Sequence, residues 1–276
     1  MSIILRRPYT QKPPAGVRPN LGHSQLKGCS AWFPFLGRSV RDAISGRLAT
    51  SDTGGWTINE HGLVKSYDAD SNQVTRTGIN LGTPETFHTW SVWIRNGSTT
   101  DGNGTVCGFV INTDNRWGLK IDGGGSSSAR EIVFMVEVAN VKTSMKTNVT
   151  PNAISTTGWH HVVGVKDSTS DPFGKIYIDG VSVTVASGDI SVIDNGYPGE
   201  IIIGSSDIGW SWGGQINDVR FYNRALTVAE VKSIYANPYA PFTRNIYIPQ
   251  AAAAATTTFF LPLWRPMTTK PSHPVS

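Results

Sequence analysis

Short runs of β-branched and aromatic residues, each bounded by Gly, Asn, Asp or Ser, follow one another from residue 86 to residue 222. The run 131–138 alternates with a period of two, so its even-numbered residues, all apolar, share one face of a strand. Many short strands separated by turns predict an all-β fold with two packed sheets, a sandwich or jelly roll. The predicted strands cover residues 86–95, 105–112, 116–121, 131–138, 159–166, 175–179, 181–185, 200–204 and 215–222.

One pair of these strands carries a clear turn signal. Asp179-Gly180 stands between two apolar runs, 175–178 and 181–183. This dipeptide favours the two-residue turn with positive φ that matches the twist of a β-hairpin. We therefore predict a hairpin closed at Asp179-Gly180.

A single helix is predicted near the end of the strand-rich region. Thr227 and Glu230 have the spacing of a capping box, in which each side chain bonds the other residue's backbone N–H. Asn237-Pro238 marks the end of the helix. The apolar residues recur at helical spacing and predict a short helix packed on a sheet: Val228, Val231, Ile234 and Tyr235.

Charge and proline set the two ends of the chain apart. Residues 1–28 contain five basic side chains and no acid, and residues 241–276 contain three and no acid. Since the whole chain carries +4, residues 29–240 carry −4. Prolines are dense in residues 1–20 and 238–276, which favours extended segments over helices and central strands. We therefore divide the chain into an N-terminal arm, 1–28, a β domain, 29–237, and a C-terminal arm, 238–276.

The arms combine positive charge with large apolar side chains. They are either solvated tails or segments that dock on a partner, and exposed aromatic residues favour docking because apolar surface usually marks an interaction. A basic domain face would favour nucleic acid, but this excess lies in the arms, so no nucleic-acid partner is expected. The candidate docking residues are Arg6, Arg7, Tyr9, Phe259, Phe260, Trp264 and Arg265.

Several motifs resemble the laminin-G-like, concanavalin A-like lectin/glucanase jelly-roll family. The resemblance covers roughly residues 29–237, and it implies a two-sheet sandwich with one short C-terminal helix. The motifs are WFPFLG (32–37), TWSVWI (89–94), WHHVVGVK (159–166), GKIYIDGV (174–181), IIIG (201–204) and GQINDVRFYNRAL (214–226). The basic, proline-rich N-terminus and the NPYAPF exit (237–242) are also similar in layout to proteins encoded by tailed bacteriophages.

The family contains both lectins and hydrolases, so the fold alone does not choose a function. Its hydrolases carry two carboxylates four residues apart on one strand, placed across the scissile bond. The present sequence has no E-x-D-x-E or E-x-x-x-E motif. We therefore predict a non-enzymatic protein.

Cysteine and histidine offer little catalytic chemistry. Cys29 and Cys107 could form one bridge or remain thiols, and thiols are favoured because residues 1–9 lack the apolar stretch of a signal peptide. His160 and His161 are adjacent on a strand, so they point to opposite faces and cannot form a metal chelate together. We interpret them as packing residues.

Calcium is the only candidate cofactor. The family resemblance implies a structural calcium near Asp42 and Asp218, although Asp42 could instead cap a turn and Asp218 could pair with Arg220 or Arg224. Asp68, Asp70 and Asn72 also alternate as oxygen ligands do in calcium loops, but the glycine and glutamate of an EF-hand are missing there.

Glycan binding needs an aromatic platform with polar groups at its rim. Trp210 and Trp212 lie in a glycine-rich stretch before the last predicted strand and are the candidate platform, with core packing as the alternative.

These observations favour a non-catalytic structural or adhesion protein at a virion surface, as a capsid decoration or fibre-type component. Its arms would bind capsid proteins and sister subunits in a homo-oligomer, and its jelly roll would face outward towards cell-surface glycans. A free extracellular lectin is the alternative, and a glycan-active enzyme is less favoured. No apolar run is long enough to span a membrane.

Overall fold

The computed structural model describes residues 12–68, 73–80, 87–96, 103–112, 115–122, 131–138, 141–147, 154, 158–167, 174–187, 199–205 and 212–242, all within one compact unit, Arg6–Arg244. The strands are β1 (Cys29–Phe33), β2 (Ser51–Asp52), β3 (Gly55–Asn59), β4 (Gly62–Tyr67), β5 (Thr75–Asn80), β6 (Phe87–Asn96), β7 (Asn103–Asn112), β8 (Asn115–Asp122), β9 (Glu131–Val138), β10 (Val141–Thr147), β11 (Trp159–Asp167), β12 (Gly174–Ile178), β13 (Val181–Val183), β14 (Val185–Ser187), β15 (Glu200–Ile203) and β16 (Gly214–Tyr222). The α-helix is α1 (Val228–Ala236), and 3-10 turns cover Ser24–Leu26 and Ala240–Phe242.

Across the described residues the strands form two sheets of eight. The first sheet has the order β13-β12-β11-β6-β16-β4-β3, with β1 also pairing with β16. The second has the order β14-β10-β9-β8-β7-β15-β5-β2. Neighbouring strands in both sheets are antiparallel, for example β11 with β6 and β8 with β9. The predicted all-β, two-sheet jelly-roll sandwich is confirmed.

Two clusters of buried apolar residues lie on opposite faces of the first sheet. On β11, Val162 belongs to the cluster between the sheets, whereas Val163 belongs to the cluster on the outer face, which helix α1 covers. Because successive residues of a strand point to opposite faces, the unbroken apolar run of β11 is buried on both sides. The outer face of the first sheet is therefore covered by α1 at one end.

The hairpin and the helix form where the sequence predicts them. Asp179 and Gly180 have φ angles of 51° and 78°, and Ile178 pairs with Val181 across the turn. Both halves of the capping box at Thr227 and Glu230 are present.

The apolar stripe of α1 is only half buried. Val231 and Ile234 are in contact with the sheet, but Val228 and Tyr235, which were predicted to pack there, are 45% and 39% exposed. The helix therefore presents an aromatic side chain at its outer edge.

Residues outside the predicted β domain, 29–237, contact it in the structure. Gln25 donates from its amide nitrogen to the carbonyl oxygens of Ser233 and Asn237, at 2.9 and 3.1 Å. The backbone N–H of Asn20 donates to the Pro241 carbonyl at 2.7 Å. Residues 12–28 and 238–242 thus lie within the same compact unit as the β domain.

The two cysteines are free thiols, as favoured from the sequence. Both are buried, and burial raises the pKa of Cys29 to about 12. Among the described residues, no helix has the length and apolar character needed to cross a membrane.

Candidate functional site

Asp42 closes the turn that follows β1. The carboxylate is fully buried, and its Oδ1 accepts the backbone N–H groups of Trp32 and Ile44 at 2.8 and 3.1 Å. Its Oδ2 accepts the backbone N–H and the hydroxyl of Ser45. This is the turn-capping role that the sequence left open.

Asp218 is held by a buried cationic partner. Its Oδ2 accepts from Nη2 of Arg220 at 2.9 Å, and its Oδ1 accepts from Nε of Arg220 and from the indole N–H of Trp32. The guanidinium carbon lies 4.4 Å from the centre of the Trp32 ring. The guanidinium of Arg220 therefore supplies the positive charge beside Asp218.

The surroundings of Asp42 and Asp218 do not fit the calcium ion that the family resemblance implies. Calcium takes six to eight oxygen ligands, whereas the carboxylate oxygens of Asp42 and Asp218 accept N–H and O–H donors. Within the described part of the chain, no three His, Cys, Asp or Glu side chains form a metal-binding group. For the second candidate, Asp68 is exposed and Asp70 lies outside the described residues.

Trp212 is a core residue. It is 2% exposed and packs in the cluster between the sheets, and its backbone N–H donates to the Gly204 carbonyl at 2.8 Å. Its ring therefore cannot serve as a sugar platform, and the core alternative is correct. Trp210 lies outside the described residues. So do the predicted docking residues Arg6, Arg7, Tyr9, Phe259, Phe260, Trp264 and Arg265.

Four rings that the sequence did not single out form a row on the outer face of the first sheet. We call this row, Tyr235, Trp93, His61 and Trp159, the aromatic strip. The centre-to-centre distances along it are 5.6, 6.0 and 5.1 Å, and Tyr235 stacks on Trp93 with an angle of 13° between the ring planes. Trp93, His61 and Trp159 are half-buried, with the indole nitrogens of both tryptophans buried, and Tyr235 is exposed.

Strand alternation places the strip. On β6, Val92 and Ile94 are buried between the sheets, so Trp93 and Arg95 face outward. The register of β11 sets Trp159 beside Arg95. The turn between β3 and β4 adds His61, and the outer edge of α1 adds Tyr235.

Buried polar side chains lie beneath the strip. His161 pairs with Trp93 across β11 and β6, stacks on it at 5.2 Å, and shares a 2.8 Å hydrogen bond between its Nε2 and Ser91. Burial lowers the pKa of His161 to about 3, so the ring is neutral. Nδ1 of His161, Nε1 of Trp93 and Oδ1 of Asn217 have no hydrogen-bond partner within the described residues. Buried polar atoms of this kind are uncommon, and Nε1 of Trp159 on this face and Nε1 of Trp212 between the sheets are two more.

His160, by contrast, points away from His161, as predicted. Its Nδ1 lies 2.8 Å from Oδ2 of Asp179 in the hairpin turn. The two histidines therefore hold different parts of the structure and do not form a joint site.

A polar border runs beside the rings. Asn59 donates to Oε1 of Gln215 at 2.9 Å, and Gln215 pairs with Arg95 across β16 and β6. Glu60 is exposed, and its pKa is lowered by its own backbone N–H and by the charges of His61 and Arg95. Rings that are open to solvent and bordered by amide, guanidinium and carboxylate groups can bind a ligand with both apolar and hydroxyl-bearing faces.

Comparison with known proteins agrees with the fold. A family model described as the concanavalin A-like lectin/glucanases superfamily matches residues 68–232, more than half of the chain. The comparison with curated proteins gave no match.

Solved structures with the same fold come from varied proteins. Domain 4 of AbnA, a GH43 extracellular arabinanase from Geobacillus stearothermophilus solved with arabinotriose, is 16% identical with a TM-score of 0.58, over 75% of this chain and 98% of that one. The receptor-binding domain of botulinum neurotoxin D is 15% identical with a TM-score of 0.57, over 77% and 53%. The sialidase of Trypanosoma rangeli is 14% identical with a TM-score of 0.54, over 77% and 33%. The chain thus spans about half of the toxin domain and a third of the sialidase, and the likeness is one of fold.

Proposed function

Because the chain belongs to the concanavalin A-like lectin/glucanase superfamily, we propose that it is a non-catalytic recognition protein whose jelly roll binds a carbohydrate. The observation that carries this proposal is the aromatic strip with its polar border. Sugar rings present C–H groups that pack on aromatic faces and hydroxyls that bond amides and charged side chains. The strip offers both kinds of contact on one solvent-exposed face.

The non-catalytic part of the proposal is supported by the partners of the described carboxylates. Glycoside hydrolysis needs two carboxyl groups facing each other across a sugar bond, one of them protonated. Acidic side chains of this protein are instead paired with bases at 2.6–3.0 Å, in the pairs Asp52–Lys65, Glu200–Arg76, Asp179–His160, Asp218–Arg220 and Glu230–Arg224.

A second element of the proposal concerns where the jelly roll is displayed. We propose that the terminal segments attach it to a larger particle, with a virion surface as the first candidate and a free extracellular lectin as the alternative. The support is the separation of charge: the ends are basic and rich in proline and aromatic residues, whereas residues 29–240 carry −4. A free lectin has no need of such ends.

Binding by the full chain to a panel of immobilised oligosaccharides tests the recognition function. The panel includes arabinotriose, lactose and sialyllactose, and each is also incubated with the protein and analysed for cleavage products. We expect binding to at least one glycan class and no cleavage. Cleavage that a single Asp or Glu replacement abolishes would overturn the non-catalytic assignment.

Attachment is tested on the native particle, in which an antibody against the jelly roll locates the protein by electron microscopy. Burial of a large apolar side chain is worth about 1.5–3 kcal/mol and a surface ion pair about 0–1 kcal/mol. We therefore expect attachment to survive about 0.5 M salt, where charges are strongly screened. Replacing Phe259, Phe260 and Trp264 by Ser should release the protein, whereas Arg265→Gln should have little effect. Release by salt alone would show that charge holds the arms.

A further inference from the structure

Arg95 lies at the end of the aromatic strip. It follows Trp93 by two residues on β6, so both side chains are on the outer face of the first sheet. Its cross-strand neighbours are Trp159 on β11 and Gln215 on β16. Arg95 is thus placed between Trp159 of the strip and Gln215 of the border.

Most side-chain N–H groups at this end of the strip have no hydrogen-bond acceptor among the described residues. Arg95 has no ion-pair or hydrogen-bond partner among the described residues, in contrast to Arg76, Arg220 and Arg224. Gln215 uses its oxygen to accept from Asn59, and its amide nitrogen has no acceptor within the described part of the chain. Arg95 and Gln215 therefore present N–H groups, and the carboxylate of Glu60, whose pKa the Arg95 charge lowers, is the competing acceptor near them.

Three ionisable side chains set the charge around the strip: the bases Arg95 and Lys12 and the acid Glu60. Lys12 donates to the carbonyl oxygens of Phe35 and Leu63, and burial lowers its pKa to about 7, so it is only partly charged at neutral pH. Glu60 is exposed to solvent, which screens it. Arg95 is half-buried. The local excess is positive, although residues 29–240 as a whole are acidic.

We propose that the aromatic strip binds a carboxylated glycan, whose sugar ring packs on Trp159 and Trp93 and whose carboxylate is held by Arg95. This inference rests on the proposed function and adds the chemical class of the ligand. The planar guanidinium presents paired N–H donors that match the two oxygens of a carboxylate. The amide nitrogen of Gln215 donates to a second ligand oxygen.

The test compares acidic oligosaccharides, sialyllactose and trigalacturonate, with their methyl esters, which keep the rings and remove the charge. Affinities are measured by calorimetry for the full chain and for Arg95→Gln, Arg95→Lys and Trp159→Ala. Arg47→Gln is the matched control, because Arg47 is exposed in the turn after β1. Thermal unfolding of each variant checks that it is folded.

We expect each acidic oligosaccharide to bind more tightly than its methyl ester. Arg95→Gln should lower the affinity for the acid by roughly 10- to 100-fold and change the affinity for the ester by less than about threefold. Arg95→Lys should recover only part of the loss, because an ammonium group lacks the planar fork. Trp159→Ala should lower the affinity for both the acid and the ester, and Arg47→Gln should change neither affinity.

Two outcomes overturn the inference while leaving the proposed function in place. One is equal binding of acid and ester with Arg95→Gln silent, and the other is acid binding that Arg95→Gln weakens but Trp159→Ala does not. If no glycan of the wider panel binds the wild-type chain, the proposed function fails and this inference fails with it.

Discussion

Asp218 shows how one residue's backbone decides the chemistry around it. The sequence allows Asp218 to pair with Arg220 or Arg224, and it does not choose between them. In the structure the register of β16 shifts between Asn217 and Arg220, and Asp218 has a φ of 49°. A bulge of this kind re-aims side chains, and here it brings Asp218 and Arg220 together on one side, whereas Arg224 pairs with Glu230.

Asp218→Asn should therefore destabilise the protein strongly. Asn tolerates the same positive φ, but the replacement leaves the Arg220 guanidinium buried without its counter-charge. Removing one partner of a buried ion pair costs about 3–5 kcal/mol. The free energy of unfolding in urea measures the loss. Glu230→Gln is the control, because it removes a half-exposed pair and keeps a capping side chain, so we expect a loss under about 1 kcal/mol. Equal losses in the two variants would contradict this ranking.

His161 gives the stability a predictable dependence on pH. Burial lowers its pKa from 6.5 to about 3, so between these values the unfolded chain binds a proton that the folded protein does not. The stability is then complete above pH 6.5 and falls as the pH decreases towards 3. We expect a loss of roughly 2 kcal/mol by about pH 5.

Urea titrations between about pH 7.5 and pH 5 measure this slope. His161→Gln should flatten it, because glutamine does not titrate. A slope that survives in His161→Gln would assign the pH dependence to other groups.

Among the structural elements, turns and helix caps could be predicted because they depend on residues that are close in sequence. Groupings of side chains from distant parts of the sequence could not. The turn at Asp179-Gly180 and the capping box of α1 form as expected because their signals are local. The aromatic strip was missed because its rings come from four separate elements. Alternation on β6 did hold one clue, since Trp93 must face away from Val92 and Ile94.

For a related reason, the sequence could not decide between a sugar platform and core packing for Trp212. Its glycine-rich neighbourhood is typical of an exposed loop, but residue 212 already lies beside Gly204 and leads into β16. The chain therefore turns the ring into the core before the strand begins. Only the contact with a distant strand end fixes this orientation.

Close contact between the sheets makes Gly164 on β11 sensitive to a single methyl group. A Cβ there would lie 2.8 Å from Cδ2 of Phe134 and 3.1 Å from Cδ2 of Leu119, both on the second sheet. Overpacking of this kind costs about 1–3 kcal/mol, so we expect Gly164→Ala to lower the free energy of unfolding by that amount. Gly55→Ala on the edge strand β3 is the control, because its nearest contact would be an ordinary 3.6 Å. If Phe134→Leu does not partly rescue Gly164→Ala, the clash is not the cause.

For the whole molecule, composition predicted arms that include residues 12–28 and 238–242, which contact the β domain in the structure. Proline and basic residues continue through 12–28, and this density indicated an arm. Yet Leu26 and Gln25 are buried, and the hydroxyl of Tyr222 donates to the Gln25 carbonyl at 2.9 Å. A few apolar anchors and backbone hydrogen bonds are enough to hold an extended segment on a folded domain, and average composition does not reveal them.

Two truncations separate the predicted boundaries from the observed ones. The fragment 29–237 loses the buried side chains of Leu26 and Tyr239, each worth about 1.5–3 kcal/mol, and the hydrogen bonds from Gln25 to the end of α1. That loss is a large part of a typical total stability of about 5–15 kcal/mol. The fragment 12–242 keeps these contacts.

We expect the fragment 12–242 to unfold in one cooperative transition, at a urea concentration close to that of the full chain. The fragment 29–237 should unfold at a much lower concentration or fail to fold. The fragments 12–237 and 29–242 each remove one side of the contact between Asn20 and Pro241. Because the two sides stabilise each other, each single truncation should already cost most of what the double truncation costs. Equal stability of the fragments 29–237 and 12–242 would show that residues 12–28 and 238–242 lie on the domain without stabilising it.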